Sequence, residues 1–142
     1  MEKLTLERSV LIAASPQIVW DAITAPKHLE QWYAPGCPWE IPALQAGATV
    51  KFHNTETDIQ LATIKDLEPL KRFTLCWQLD PMHPGLTLTN TFLIEPENGS
   101  TRVTVSQAGY ESLPEDMRQV QRDQDAGAYT AIVESLKNYL ER

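Results

Sequence analysis

The stretch SLPEDMRQVQRDQDAGAYTAIVESLKNYLER, residues 112–142, decides how the rest of the chain is read. Ser112 followed by Glu115 predicts a reciprocal capping pair at a helix start. Pro114 falls in the first turn, where a missing N–H costs little. Met117, Val120, Tyr129, Ile132, Val133, Leu136, Tyr139 and Leu140 recur at three- and four-residue spacings, with Arg118, Arg122, Glu134, Lys137 and Glu141 largely off that stripe. Continuous from Glu115 to Glu141, such a helix is about 40 Å long. One amphipathic helix cannot bury its own stripe, so the preceding chain must supply a surface for it.

That preceding chain alternates. From Leu4 to Ala14, Leu4, Leu6, Val10 and Ile12 share a face with the polar Arg8, opposite Thr5, Glu7 and Ser9, which is the pattern of a half-buried strand. Ser15-Pro16 reads as N-cap and first residue of a short helix to about Thr24. Pro26 starts a second short helix with Leu29, Trp32 and Tyr33 inward. Residues 34–42 hold Pro35, Gly36, Pro38 and Pro42 and read as loop or sheet edge. Further strands are predicted over 48–53, 58–67, 72–79, 86–94 and 101–108. The 58–67 segment carries apolar residues on both parities, which leaves its register open. Asn98-Gly99 is a strong hairpin signal between the last two strands. Arg8 and Gln107, polar residues on apolar parities, are expected to meet where the first and last strands lie side by side.

These elements predict one domain, residues 1–142, of the α+β class. It is a helix-grip: a curved antiparallel sheet of six to seven strands wrapped around the long C-terminal helix, with two short helices after the first strand. A hollow is expected between helix and sheet.

Composition narrows the partners. A formal net charge of −7, with Lys and Arg scattered, argues against a nucleic-acid backbone or an anionic membrane surface. No apolar run reaches the length of a membrane span or a signal-peptide core. Cys37 and Cys76, without an export signal, read as free thiols in a cytoplasmic setting. His28, His53 and His83 lack metal-ligand spacing, and there is no phosphate loop or nucleophile elbow. No metal, cofactor or catalytic residue is therefore predicted.

The segment VWDAITAPKHLEQWY, residues 19–33, resembles the opening signature of the AHSA-type family. Its members are relatives of the C-terminal domain of the activator of the large heat-shock chaperone's ATPase, within the START-like (SRPBCC) helix-grip superfamily. Val19, Trp20, Ala22, Thr24, Pro26, Leu29, Trp32 and Tyr33 carry the match. Gly47 with Phe52, Trp77, Gly109-Tyr110, and Leu136 with Tyr139-Leu140 also fit. The chain departs from the pattern at Ala48, at Ala25, and at Ala128-Tyr129, where the family commonly has Gly-Trp; ligand preference is not carried over. The resemblance implies the helix-grip fold, and a superfamily ranging from lipid carriers to aromatic-ring cyclases. Fold alone does not decide among these.

The leading expectation is a binding module for a small apolar or aromatic, lipid-like molecule, lined by Trp32, Tyr33, Phe52, Trp77, Asn90, Gln107, Tyr129 and Val133. Core packing is the competing reading for the aromatic residues, and mutual satisfaction among inward polar groups, with no ligand involved, is the competing reading for Asn90 and Gln107. Two alternatives stand beside it: a cavity-based enzyme of cyclase, aromatase or hydrolase type, and a chaperone cofactor. The cofactor reading is the weaker, because the chaperone activator carries an additional N-terminal domain for which this chain has no room. A monomer or homodimer is expected.

Overall fold

The computed structural model describes residues 4–80, 82–83 and 85–142. Its elements are β1 (Leu6–Ile12), α1 (Pro16–Thr24), α2 (Pro26–Trp32), β2 (Trp39–Glu40), β3 (Thr49–His53), β4 (Ile59–Glu68), β5 (Arg72–Gln78), β6 (Thr87–Glu97), β7 (Ser100–Ala108), a 3-10 turn (Tyr110–Ser112) and α3 (Glu115–Leu140). The strands form one antiparallel sheet in the order β1-β7-β6-β5-β4-β3-β2. This is the α+β helix-grip expected.

Local chemistry explains most boundaries. Ser15 accepts a hydrogen bond from the Ile18 amide at 3.3 Å, and Pro16 occupies the first turn of α1. Asn98 and Gly99 have φ of 49° and 83°, the left-handed pair that a two-residue hairpin loop demands. On β6 as far as Ile94, and on β7, every second residue is buried, as one covered face requires. β4 resolves its own ambiguity. Ala62 and Ile64 face inward, but the register slips between Ile64 and Asp66, so Leu67 comes to lie opposite Phe73. A bulge at Lys65 returns Leu67 to the inner face, while Ile59 and Leu61, before it, are apolar residues on the outer parity.

Three expectations are corrected. Ser112 does not cap α3: its hydroxyl donates to Thr87 O at 2.7 Å and accepts from Thr87 N at 3.0 Å, while Pro114 holds the cap position with no side-chain bond. The apolar stripe is buried only in the second half of α3, at Tyr129, Val133 and Leu136; Met117 and Val120 are 48% and 58% exposed. Arg8 and Gln107 share the inner face but do not meet, since Arg8 lies opposite Val105 and Leu6 opposite Gln107. Arg8 reaches instead to Thr130 Oγ1 at 3.0 Å and Glu7 O at 2.8 Å.

Among the described residues, that Arg8–Thr130 contact is one of four polar ties between α3 or its C-cap and the strand β1 or its flanks. Arg122 donates to Thr5 O, Lys137 to Leu11 O, and Glu141 accepts from the Ala13 amide. Gly109 turns the chain toward α3 at φ 101°, where an added Cβ would sit 3.0 Å from Thr87 O. Among the described residues no helix is long and apolar enough to cross a membrane.

Candidate functional site

The Pro-rich stretch between α2 and β3 brings the β2 tryptophan, Trp39, against the inner face. Trp39 pairs with Phe52 on β3; both rings pack on Tyr33, just after α2, and Trp39 also packs on Trp77 of β5. The centroid distances run from 4.8 Å (Trp39–Phe52) through 5.1 Å (Tyr33–Trp39) and 5.7 Å (Tyr33–Phe52) to 5.8 Å (Trp39–Trp77), mostly edge-to-face. Trp39 Nε1 is buried without a hydrogen-bond partner. Trp32 stacks on Tyr33 at 5.6 Å but sends its own N–H to Ala22 O at 2.8 Å, so it fastens α2 to α1.

A chain of hydrogen bonds runs across the inner face from β6 to α3. Asn90 Nδ2 donates to Tyr129 Oη at 2.6 Å, and Tyr129 Oη donates to Gln107 Oε1 at 2.5 Å. Gln107 Nε2 donates to Tyr110 Oη at 3.0 Å and to Asp125 Oδ2 at 2.7 Å. Tyr110 Oη donates to the same carboxylate oxygen at 2.8 Å, and Gln121 Nε2 to the other at 3.1 Å. Asn90 and Gln107 are each 7% exposed, so the chain satisfies polar groups that would otherwise be costly to bury.

Burial pushes the Tyr33 phenol up to about 12, and the Asp125 carboxylate pushes in the same direction. Burial likewise pushes Tyr110 up to about 12. Tyr129 is driven further in the same sense by burial, then by the neighbouring Tyr33 and Tyr110 phenols and Asp125. All three are neutral donors at physiological pH.

The eight residues expected to line a site thus divide. Tyr33, Phe52 and Trp77 join one aromatic cluster, and Asn90, Gln107 and Tyr129 join one polar chain. Val133 and Trp32 are buried in the main core. Trp77 also borders a pocket of about 450 Å³ with Thr57, Ile59 and Leu61; Trp32 borders one of about 300 Å³ with Ser135, Tyr139 and Arg142.

Sequence reasoning missed Trp39, Tyr110 and Asp125 as members. Asp125 had a usable signal: Gln121, Asp125 and Tyr129 stand four residues apart and share a helix face. Besides the buried Trp39 Nε1, Asn90 Oδ1 and Tyr33 Oη have no partner among the described residues, and protein atoms do not seal either of these two oxygens. Among the described residues no group of His, Cys, Asp and Glu is arranged to hold a metal ion.

Solved structures share this architecture. The protein MLL2253 from Mesorhizobium loti superposes with a TM-score of 0.81 at 22% identity, covering 98% of each chain. The Aha1 dimer from Colwellia psychrerythraea gives 0.73 at 22%, covering 97% of this chain and 96% of that one. DynU16, a putative protein in the dynemicin biosynthetic locus, gives 0.77 at 20%, covering 96% of this chain and 47% of its own. At these identities the likeness is one of fold. No curated protein matches the chain. The family model described as "Activator of Hsp90 ATPase homolog 1-like protein" matches residues 13–141, nearly the whole length over which the sheet and α3 enclose the aromatic cluster and the polar chain. By that match the chain belongs to the Activator of Hsp90 ATPase homolog 1-like family.

Proposed function

We propose that this protein is a binding module for a small apolar or aromatic molecule, held between the sheet and α3. The observation that carries the reading is the aromatic cluster of Tyr33, Trp39, Phe52 and Trp77, set beside buried polar groups with unused hydrogen-bonding capacity. Apolar walls with a few oriented polar atoms are what small-molecule sites are made of. The ligand set is Tyr33, Phe52, Trp77, Asn90, Gln107, Tyr129 and Val133, with Trp39 added and Trp32 acting as support. Cytoplasmic residence, no affinity for nucleic acid, and a monomeric or homodimeric state belong to the same reading.

Titration with a neutral apolar dye such as N-phenylnaphthylamine tests it. Saturable binding at one dye per chain with quenching of tryptophan emission is the expected result. A linear, non-saturating response would overturn it. Native mass spectrometry of protein purified from its own host then reads the mass of the retained molecule.

A further inference from the structure

Hydrogen-bond direction along the polar chain is set from one end. The Asp125 carboxylate only accepts, so Gln107 must present its Nε2 to it and Tyr110 must point its hydroxyl hydrogen at it. Gln107 Oε1 then faces the other way and takes the single hydrogen of Tyr129 Oη. Tyr129 has no hydrogen left for Asn90, so Asn90 must offer Nδ2. Each amide orientation follows from the one before. The last link leaves Asn90 Oδ1 as a bare acceptor on a side chain only 7% exposed, and that oxygen is not sealed by protein atoms. An unsealed acceptor on an otherwise buried side chain can take its donor from water or from a guest.

Charge points the same way. Asp125 is the ionised group that acts on both interior phenols, Tyr33 and Tyr129, and among the described residues no cation acts on either. Arg8, on the same face of the sheet, is committed to Thr130 and Glu7. Arg122 acts on Tyr110, at the Asp125 end of the chain, and its Nε is bound to Thr5 O. An anionic ligand beside the aromatic cluster would meet a carboxylate's field with no countercharge.

We propose that the interior site takes a neutral aromatic hydroxyl compound whose O–H donates to Asn90 Oδ1, with Tyr33 Oη as the second polar contact, and that Asp125 sets this preference and turns carboxylates away. This rests on the binding reading above and names the chemistry of its ligand. Asp125 acts through its neighbours, as a positioning and selecting residue.

Four probes of one shape test it at neutral pH by calorimetry or tryptophan quenching: a naphthol, the matching methoxynaphthalene, the naphthoate, and a naphthylmethylammonium. The naphthol is expected to bind at least about tenfold more tightly than the methoxy compound, which lacks the donor, and than the naphthoate. The ammonium probe is expected to bind more tightly than the naphthoate. In Asp125→Asn, with folding checked by circular dichroism, the gap between naphthol and naphthoate should narrow by about tenfold. Should that variant fail to fold, the comparison of ammonium with carboxylate in the unaltered protein reads the same field. Equal affinity for all four probes overturns this inference and leaves the binding reading standing. Binding of none overturns both.

Discussion

Gln107 Oε1 on β7 accepts the Tyr129 hydroxyl of α3 at 2.5 Å, so one phenol ties the helix to the second strand of the sheet. Tyr129→Phe removes that oxygen and leaves Gln107 Oε1 and Asn90 Nδ2 facing each other's loss. The expected cost is about 1–3 kcal/mol, the penalty for leaving buried polar groups unpaired. Urea unfolding checks it; a loss below about 0.5 kcal/mol would mean that the chain re-forms without the phenol.

Alkaline stability follows from the raised phenols. Tyr33 and Tyr110 each hold their proton to about 12 when folded, against 10.0 in the unfolded chain. Their contribution is therefore complete below pH 10 and is lost as pH rises through 10 to 12. Phenolate absorbance and circular dichroism followed together should change in one step in that window. Tyr33→Phe should stay folded to higher pH than the parent; an unchanged alkaline midpoint would count against the Tyr33 assignment.

Two glycines should respond in opposite senses. Gly109→Ala forces a side chain to φ 101° and drives its Cβ to 3.0 Å from Thr87 O, so a loss of about 1–3 kcal/mol is expected. Gly127 lies on the exposed face of α3, with nothing within 4 Å of an added Cβ. Gly127→Ala should gain up to about 1 kcal/mol from helix propensity. Thermal melts of the two variants settle the pair.

Val133 tests whether the space beneath α3 is open. Val133→Trp should abolish binding of the neutral dye while the protein stays folded. If it instead unfolds the chain, at the cost of about 1–3 kcal/mol typical of overpacking, the region under Val133 is solid core.

Cys37, in the loop before β2, and Cys76, on β5, are both free. Thiol titration of denatured, unreduced protein should find both of them. Finding neither would establish a bridge that this fold does not contain.

Much of the fold was legible because single-face burial writes itself into alternation. β5, β6 and β7 could be read residue by residue, and Asn98-Gly99 marked their last turn with its own backbone requirement. β4 could not be registered, because Ile59 and Leu61 are apolar on the outer parity and the bulge at Lys65 is invisible to a period-two count. Ser112 and Glu115 carried a true capping pattern, yet the hydroxyl found a partner 25 residues away in Thr87, which no local rule weighs. The site was half legible. Asn90, Gln107 and Tyr129 stood out as polar or aromatic residues on buried faces. Their shared anchor, Asp125, looked like one more charge on a solvated helix, and Trp39 was hidden among prolines in a segment readable only as loop or edge.

The Trp39–Trp77 contact has a consequence for light. Two indoles with centroids 5.8 Å apart and planes at 72° exchange excitation, so their transitions mix into a paired circular dichroism band whose sign and size depend on the angle between them. Trp20 stands outside this pair, set edge-on to Phe73. The coupled band is therefore an optical signature of one corner of the molecule. It needs no label and is sensitive to any guest that parts the two rings. A guest need not fluoresce, or be identified, for its arrival to be seen.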